Sequence, residues 1–443
     1  MRTKVRNLYG VTPVTLYTGN SNCSLDCCYC PGQKGYPKSY IKNADTRKVA
    51  FVNYDVSQQI AYWKCQIRKL YGDQKPVKLE VILLGGTFSD IPALARVAFI
   101  KQMYDSFNGF TSRTLDEAKL YNANALYRVC ILAVETRPDC IDKRECELLL
   151  NFGVSKVELG VQSLDDQVLS VNNRPYNYKI IFEATALLKE YGFKISYHMM
   201  LNMYGSTYDT DKSVLNKMLT TYDIIPDQLK VYPLTLLKDR RLQSGMWDLY
   251  EKGKWSPYTL EEVLGLLIYV KANLPQFVRL QRIQRQFHSH DYFYAGINLR
   301  QLVRKDMLLR SIKCNCIKCQ EEQAASLEID VSNVTFKEIK YSNDIFLHSS
   351  YSNNLVGYLR LHLAHKPIIR EVKILGIAVP VGGEGKIQSR GIGDKMIAYA
   401  EKISADLGHS YLRVNASPGV SKYFIERNYY FHGNVLQKKL QGL

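Results

Sequence analysis

The stretch "NCSLDCCYCPG" (residues 22–32) places four cysteines close together near the start of the chain. Three of them have the spacing Cys23-x3-Cys27-x2-Cys30, and Cys28 is the fourth. Three thiolates at this spacing can hold three irons of a 4Fe–4S cluster and leave the fourth iron open. An open iron can be chelated by S-adenosylmethionine, whose reductive cleavage gives a 5′-deoxyadenosyl radical. The motif therefore predicts a radical-generating site.

Zinc is the main alternative for this segment, with Cys23, Cys27, Cys28 and Cys30 as ligands. Zinc sites usually pair two distant ligand clusters, so the sequence favours the iron–sulfur cluster. Disulfides are disfavoured because the 11 cysteines are odd in number and mostly clustered, and because no apolar secretory segment is found near the N-terminus. Reduced, metal-binding thiols predict a cytoplasmic protein.

The composition is that of an ordinary globular chain of 443 residues, 46% hydrophobic and 23% charged. This length favours two or three domains. A net charge of +17 favours a polyanionic partner such as nucleic acid, although a basic surface kept for solubility is the simpler alternative. No apolar run is long enough to span a membrane, so no membrane association is expected.

Short apolar runs alternate with amphipathic stretches between about residues 50 and 240. The predicted strands are 77–86, 128–139, 154–163 and 193–201, and the predicted helices are 142–153 and 183–192. Such alternation predicts right-handed β–α–β units and an α/β fold with a parallel sheet or barrel. Ligands of such folds gather at the carboxyl ends of the strands.

Polar or glycine residues follow each of these predicted strands: Gly85, Gly86, Thr87, Glu135, Gln162 and His198. Any one of them is most simply a turn or a satisfied buried group, but four strand ends together favour a site. The two glycines would let the backbone approach the methionine moiety. Glu135 is a candidate acceptor for ribose hydroxyls, and Gln162 a candidate partner of the sugar or the adenine edge.

A second cysteine-rich segment, Cys314-x-Cys316-x2-Cys319, follows residue 285. It predicts a structural zinc site with His288 or His290 as the fourth ligand. Unmetallated core cysteines are the alternative.

The pattern after this segment predicts an α+β module. Its predicted strands are 333–340, 354–364, 368–382, 411–417 and 429–440, with a helix that starts at Gly391 and runs toward Gly408. The turn Gln388-x-Arg390-Gly391-x-Gly393 presents backbone N–H groups to an anion at a helix start. Together with the preceding strand and Tyr423, it resembles the pyrophosphate loop of GNAT acetyltransferases. An ordinary helix-start turn is the alternative.

Basic residues concentrate at 238–241, at Arg279, Arg282 and Arg285, and at 299–313, and the chain has 32 tyrosines. Basic side chains can bind the phosphates of a single-stranded RNA loop, and aromatic rings can stack on its unpaired bases. For each stretch taken alone, a solvent-exposed surface without a partner is the simpler interpretation.

With all motifs in view, the chain resembles the catalytic subunit of Elongator, a family that modifies the wobble uridine of tRNA. The resemblance rests on "TGNSNCSLDCCYCPG", "KLEVILLGGTFSDIP", "ETRPD", "VELGVQS", "HMM", "LKVYP", "RIQR", "NLR", "REVKILG" and "QSRGIG". It implies a radical-SAM partial (β/α) barrel at 1–285, a cysteine-rich zinc linker at 286–325 and a GNAT-type acetyltransferase domain at 326–443.

The resemblance also implies a reaction. The adenosyl radical takes hydrogen from the methyl of acetyl-CoA, the carbon radical adds to C5 of the uridine, and hydrolysis leaves a carboxymethyl group. Lys230 and Tyr423 would be catalytic, and Cys23, Cys27 and Cys30 would ligate the cluster. Acetyl-CoA contacts are implied for Lys78, Glu371, Val372, Lys373, Ile374, Ile392, Gly393, Asp394, Tyr423 and Phe424. tRNA, an external electron donor, and either self-association or Elongator-like subunits are the implied partners.

The chain departs from the family pattern in three places. In many family members the first cluster cysteine lies further before the second than it does here, and in this chain Thr12 stands near the position of that cysteine. Phe424 replaces one tyrosine of the usual pair. Only 22 residues precede Cys23, so tRNA affinity is expected from the basic surfaces or a partner. Protein lysine acetylation and a non-catalytic RNA-binding scaffold are the rival functions.

Overall fold

A computed structural model of the chain describes residues 11–19, 23–42, 52–72, 76–285, 293–294, 296–324, 327–376 and 385–440. The described residues form two sheets of seven strands each. In this part of the chain no helix is both long and apolar enough to cross a bilayer.

The first sheet contains seven parallel strands in the order of the sequence. They are β1 (Thr12–Tyr17), β2 (Val77–Leu84), β3 (Tyr127–Thr136), β4 (Lys156–Gln162), β5 (Lys194–Leu201), β6 (Gln228–Pro233) and β7 (Arg279–Arg282). Purely sequential parallel pairing, with helices in the crossovers, makes a half-barrel. The predicted strands of this region are confirmed, with ends that differ by a few residues.

Helices follow the strands of this half-barrel, and one of them, the helix that contains Met246 and Trp247, packs against the cysteine loop. They are α1 (Val56–Tyr71), α2 (Ala93–Asn108), α3 (Leu115–Asn122), α4 (Lys143–Asn151), α5 (Asp166–Val171), α6 (Tyr178–Glu190), α7 (Tyr208–Thr220), α8 (Ser244–Glu251) and α9 (Leu260–Asn273). Side chains alternate along each strand: Leu79, Val81 and Leu83 are fully buried toward the helices, which leaves Lys78 and Glu80 on the inner face. The inner face therefore carries charged groups, and the apolar core lies outside the strands.

Two helices lie between the sheets along the chain, α10 (Leu299–Leu309) and α11 (Ile317–Ala324). The strands of the second sheet are β8 (Thr335–Tyr341), β9 (Asp344–Tyr351), β10 (Asn354–His362), β11 (Ile368–Ile374), β12 (Tyr411–Val414), β13 (Tyr430–His432) and β14 (Val435–Lys439). Their order in the sheet is β13-β14-β12-β11-β10-β9-β8. Helices α12 (Ile392–Asp406) and α13 (Pro418–Ile425) complete the module.

Three predictions for this module need correction. The strand β9 has no predicted counterpart, although it pairs with both β8 and β10. The segment 429–440 is a hairpin of β13 and β14 rather than one strand. The predicted strand 368–382 ends at Ile374, and its residues 377–382 lie outside the described residues. The α+β class is confirmed, and the domain boundaries stay a prediction.

A splayed strand pair opens the second sheet at its centre. Among the described residues, β11 pairs in parallel with β12 only at Ile368 and Ile369, while it pairs along its whole length with β10 on the other side. Beyond Ile369 no described strand pairs with the β12-facing edge of β11, although the Gln388 side chain donates to the Ile374 carbonyl at 3.3 Å. Backbone N–H and C=O groups on such an edge can pair with an extended ligand.

The two sheets contact each other through α13. A Cβ on Gly419 would lie 2.7 Å from the backbone oxygen of Val129 in β3, so the backbones touch directly. Ser417, which precedes α13, donates a hydrogen bond to the Gly153 carbonyl at 2.9 Å and accepts one from the Leu132 N–H at 3.3 Å.

Buried charges form a second contact between the modules. Asp227 at the start of β6 accepts two hydrogen bonds from Arg370 of β11, at 2.6 and 2.9 Å. Arg360 of β10 lies 3.2 Å from the same carboxylate. All three side chains are nearly inaccessible to solvent, so this contact is part of the folded core.

Candidate active site

The three-cysteine loop follows β1 and lies at the carboxyl rim of the half-barrel. The Cys23 thiol lies 3.4 Å from the Thr87 hydroxyl, just beyond the end of β2. The Cys30 thiol lies 2.6 Å from the Ser39 hydroxyl, and the Cys30 N–H donates to the Cys27 carbonyl at 3.0 Å. None of the three is in a disulfide, so all three thiols are available as ligands.

The arrangement of these thiols fits an iron–sulfur cluster better than zinc. Tetrahedral zinc with Zn–S bonds of about 2.3 Å brings its sulfurs within about 4 Å of one another. Among the described residues, no three sulfurs of the loop lie within 4.8 Å of one another, whereas those of a second cysteine group do. The described loop therefore lacks the close three-sulfur geometry of a mononuclear zinc site.

Cys28 is turned away from this group. Its thiol donates to the Asn172 side-chain oxygen at 2.9 Å, and the Asn172 amide donates to Val168 and Tyr204 carbonyls, each at 2.7 Å. Burial raises the pKa of the Cys28 thiol to about 11. The Cys28 thiol thus has a partner outside the three-cysteine set, and its role as the spare cysteine stays a prediction.

Polar contacts from two later segments hold the loop in place. Gln243 donates to the Tyr29 carbonyl at 2.8 Å, and Leu242 accepts from the Gly32 N–H at 2.9 Å. Arg137 donates to Cys23 at 3.6 Å, to Thr87 at 3.1 Å and to Asp90 at 2.6 Å. The loop geometry is thus fixed by the half-barrel.

The predicted S-adenosylmethionine residues converge on the same rim. Gly85 has φ +142° and Gly86 has φ +96°, and a Cβ on Gly85 would lie 2.4 Å from the Thr18 hydroxyl oxygen. Gln162 adopts φ +69°, which is rare for a non-glycine residue and often marks a functional position. Glu135 accepts a hydrogen bond from Tyr40 at 3.0 Å.

Arg174 is a site residue that sequence reasoning missed. It is 8% exposed, and its guanidinium lies over the rings of Tyr29 and Tyr176, at 5.9 and 5.2 Å from their centroids. One NH2 group donates to the Gly160 carbonyl at 2.9 Å, while Nε has no partner among the described residues. A buried guanidinium with a free donor beside the cysteine loop is suited to a carboxylate. A lone arginine in "NNRPYNY" carries no motif that could have revealed it.

A row of alternating charges crosses the inner face of the half-barrel. Lys156 of β4 lies 3.1 Å from Glu80 of β2 and 2.8 Å from Glu158 of β4. The other oxygen of Glu158 accepts from Lys230 of β6 and lies 2.9 Å from Nε2 of His198 on β5. Burial raises the pKa of the Glu158 carboxyl, but Lys156 and Lys230 outweigh it and hold that pKa well below its usual value. Glu158 is therefore an ionised, fully buried carboxylate.

Ligand atoms of Glu135, Glu158 and His198 lie within 4.8 Å of one another. Such a set resembles a cation site in composition. Because two ammonium groups already neutralise Glu158, we treat this group as a hydrogen-bonded network.

The predicted acetyl-CoA residues lie at the second sheet. The Tyr423 hydroxyl donates to Asp394 at 3.0 Å, and a Cβ on Gly393 would lie 2.7 Å from that hydroxyl oxygen. Arg427 contacts Asp394 at 2.5 Å and lies over the Tyr423 ring at 3.6 Å. The structure thus brings Tyr423 against the glycine-rich start of α12, whose N-cap is Gly391.

The other predicted acetyl-CoA residues differ in their surroundings. Glu371 is buried in ion pairs with Lys194 and Arg360, so only its backbone faces the open edge of β11. Lys373 binds Glu321 at 2.6 Å. The remaining residues divide between partly buried positions (Val372, Ile374), the exposed Arg390, the buried start of α12 (Ile392) and the apolar core (Phe424).

Lys78 lies at the start of β2, at the end of the strand away from the cysteine loop. Burial raises the pKa of the Cys130 thiol to about 11, and the nearby Lys78 charge opposes that rise. The Cys130 thiol in turn faces the Gly419 carbonyl at 3.7 Å. Lys78 is therefore near the contact with the second module.

The second cysteine group has the tight geometry of a mononuclear metal site. Sulfurs of Cys314, Cys316 and Cys319 lie within 4.8 Å of one another, and no fourth ligand joins them among the described residues. The predicted fourth ligands, His288 and His290, lie outside the described residues.

The predicted RNA-binding cations have mixed surroundings. Arg279 forms an ion pair with the buried Glu321. Its charge is therefore neutralised within the protein. At the end of α10, Arg310 pairs with Asp306 at 2.8 Å. Arg285 donates to the Ser39 carbonyl, next to the cysteine loop.

Comparison with known proteins agrees with this architecture. A family model described as the radical SAM superfamily matches residues 18–218, and a radical SAM C-terminal domain model matches residues 226–308. A half-barrel with a three-cysteine rim, joined to a mixed sheet, is thus a radical-SAM protein with a second, GNAT-like module.

Relatives over nearly the full length define the family. A "tRNA uridine(34) acetyltransferase" of Dehalococcoides mccartyi is 31% identical over 99% of this chain and 100% of its own length. One of Methanocaldococcus jannaschii is 30% identical over 99% and 86%. "Elongator complex protein 3" of Saccharomyces cerevisiae is 26% identical over 97% and 81%.

A solved structure has the same fold from end to end. The archaeal Methanocaldococcus infernus Elp3 with an N-terminal deletion superposes with a TM-score of 0.82 at 26% identity, covering 98% of this chain and 100% of that one. The chain belongs to the tRNA uridine(34) acetyltransferase and Elongator complex protein 3 family.

Proposed function

We propose that the protein carboxymethylates C5 of the wobble uridine in tRNA, using a radical derived from S-adenosylmethionine and the acetyl group of acetyl-CoA. The observation that carries the proposal is the presence of two matched sites in one chain. A three-cysteine loop lies at the rim of the half-barrel, and an open strand edge with its glycine-rich helix start lies in the second sheet.

At the rim, Cys23, Cys27 and Cys30 would hold a 4Fe–4S cluster and leave one iron open. When bound there, the cluster and S-adenosylmethionine supply a 5′-deoxyadenosyl radical. Gly85 and Gly86 expose their backbone to the methionine moiety, and the free Nε–H of Arg174 is suited to its carboxylate. Further roles fall to Thr87, which supports Cys23, and to Glu135 and Gln162 as ribose and adenine partners.

In the second module, the open edge of β11 would pair with the pantetheine arm of acetyl-CoA. The N–H groups that start at Gly391 would receive the pyrophosphate. Tyr423 lies against this loop and would contact the thioester. Lys230, inside the half-barrel, would face the acetyl group where hydrogen is abstracted.

Other parts of the proposal concern binding and context. The net charge of +17 supports tRNA as the polyanionic substrate, with affinity that falls as salt rises. Cys314, Cys316 and Cys319 would bind a structural zinc ion between the modules. The cluster needs an external electron donor, and its reduced thiols suit the cytoplasm. Self-association or Elongator-like subunits remain predictions.

The decisive experiment uses full-length protein with an anaerobically reconstituted cluster. It is incubated with S-adenosylmethionine, acetyl-CoA, dithionite and tRNA, and 5′-deoxyadenosine and modified nucleosides are measured by mass spectrometry. We expect both products from the wild type and neither from Cys27→Ala. Iron absent from the first cysteine site, or activity that survives Cys27→Ala, would refute the radical mechanism. Labelled acetyl groups on lysine but never on tRNA would favour the protein acetylation alternative.

A further inference from the structure

His198 is a histidine inside the half-barrel whose role the proposed function leaves open. Its Nε2 lies 2.9 Å from Oε2 of Glu158, and its ring meets that of Tyr232 edge to face, with centroids 5.9 Å apart. The side chain is 16% exposed. It is thus partly open to the interior of the half-barrel and firmly held on one side.

The contact with Glu158 decides which ring nitrogen carries the proton. Glu158 is ionised and fully buried, so it can only accept hydrogen bonds. Nε2 of His198 therefore carries the hydrogen, which leaves Nδ1 with a lone pair in the neutral ring. Among the described residues Nδ1 has no hydrogen-bond partner. A base of this kind is ready to take a proton from a bound molecule.

A cation lies next to this base. Lys230 is the register partner of His198 across β5 and β6, and both side chains bind the same oxygen of Glu158. The Lys230 ammonium has three N–H donors and one hydrogen-bond partner among the described residues. Its remaining N–H groups can stabilise negative charge that develops on a carbonyl oxygen.

The position of His198 is where an acyl group from the second module would reach the rim. Lys194, on the same face of β5, contacts Glu371 of β11, and four residues along a strand span about 13 Å. Glu135, at the rim, lies in register with Glu158. His198 and Lys230 thus lie between the contact with the second module and the rim, on the path that an acyl group from the second module would follow.

We infer that His198 is the general base of the hydrolysis that releases coenzyme A from the modified uridine, and that Glu158 is its positioning residue. Nδ1 takes a proton from water, the water oxygen bonds to the thioester carbon, and Lys230 stabilises the oxyanion. The C–S bond then breaks and the thiolate leaves with the proton that Nδ1 returns. The products are the carboxymethyl group and a free thiol, and no oxidant or reductant is consumed. This inference rests on the proposed function.

The first test needs no cofactor. Nitrogen NMR of the protein labelled with 15N-histidine reports the tautomer of each ring, and loss of one set of signals in His198→Gln or His198→Asn assigns His198. We expect Nε2 protonated and Nδ1 unprotonated at neutral pH. A protonated Nδ1, in either the other tautomer or an imidazolium, would overturn the inference, because the ring would then lack its base.

The second test follows the modified tRNA. His198→Gln keeps an N–H donor near the Nε2 position and removes the Nδ1 base. With the reconstituted variant, we expect 5′-deoxyadenosine at a rate within about twofold of the wild type, and at least a tenfold loss of carboxymethyluridine. In its place the uridine should carry coenzyme A as a thioester, which hydroxylamine converts to the hydroxamate. His362→Asn is the matched control, because His362 also pairs with a buried carboxylate, Asp344 at 3.1 Å, and should give normal product.

Each remaining outcome refutes a defined claim. Normal carboxymethyluridine from His198→Gln would overturn the role of His198 in hydrolysis. Loss of 5′-deoxyadenosine in a variant with wild-type melting behaviour would assign His198 to the radical step instead. A wild-type protein that modifies no uridine would refute the proposed function itself, and the inference with it.

Discussion

Asp227→Asn is the change that most directly tests how the two modules are joined. The Asp227 carboxylate accepts two hydrogen bonds from Arg370 and one from the Ile195 N–H at 2.8 Å, and Arg360 lies 3.2 Å away. Asparagine has nearly the same shape but no charge. The variant therefore removes the anion and leaves both guanidinium groups buried.

The size of the effect follows from what each arginine retains. Removing one partner of a buried ion pair usually costs about 3–5 kcal/mol, because the other charge stays desolvated. Arg370 keeps Asp344 at 3.1 Å, and Arg360 keeps Glu371 at 3.1 Å. Because each arginine keeps one carboxylate, we expect the free energy of unfolding to fall by about 3 kcal/mol, the lower end of that range. A loss of this size is a large fraction of the free energy of unfolding of a domain, which is roughly 5 to 15 kcal/mol.

Urea unfolding of the full chain, followed by far-UV circular dichroism, measures this loss. Asp239→Asn is the matched control: Asp239 pairs with Arg241 at 2.8 Å on the surface, and its loss should leave the midpoint unchanged. Arg370→Met should cost less in the Asp227→Asn background than in the wild type, because the two side chains share one buried ion pair. A loss below about 1 kcal/mol for Asp227→Asn would refute the reasoning, since it would mean that water reaches the contact.

Three further predictions concern the site and the pH response. Cys28→Ala should keep the iron content and visible spectrum of the reconstituted protein, whereas Cys27→Ala should lose both, and iron loss in Cys28→Ala would contradict the assignment of the spare thiol. Gly85→Ala should weaken S-adenosylmethionine binding by about tenfold in calorimetry while iron is retained, because strain of about 1–3 kcal/mol enters at a positive φ; unchanged affinity would count against a close backbone approach. Burial raises the pKa of the Glu371 carboxyl, but Lys194 and then Arg360 outweigh it and lower that pKa below its ordinary value. Its stabilisation is therefore present above the unfolded pKa of about 4 and lost as pH falls through the folded value. The melting temperature should accordingly fall with acidification and the drop should shrink in Glu371→Gln.

The sequence predicted the rim site where a chemical motif and a strand-like pattern occur together. The cysteine spacing and the strand ends at Gly85, Glu135 and Gln162 predicted a rim whose residues the structure brings together. The strand β9 escaped prediction because "DIFLHSSY" (344–351) lacks regular alternation. Its assignment depends on pairing with neighbours on both sides, which is a tertiary effect.

The charged interior of the half-barrel could not be predicted for a related reason. Glu158 lies within the apolar run "KVELGVQ", where a single acid carries no signal about its partners. Lys156 lies two residues away on the same strand, whereas His198 of β5 and Lys230 of β6 reach Glu158 from 40 and 72 residues further along the chain. Such a network depends on strand register, which the sequence of any one strand does not determine.

The backbone contact at Gly419 bears on how this protein can be re-engineered. Because α13 meets β3 without an intervening side chain, even alanine at this position would push the helix outward. Tyr423 lies one helical turn further along the same helix, so the displacement would be passed on to the residue that touches the glycine-rich loop. The acetyltransferase-like module therefore cannot simply be replaced by one from another protein. A transplanted substitute would need both a glycine at this contact and the same helical spacing to its tyrosine.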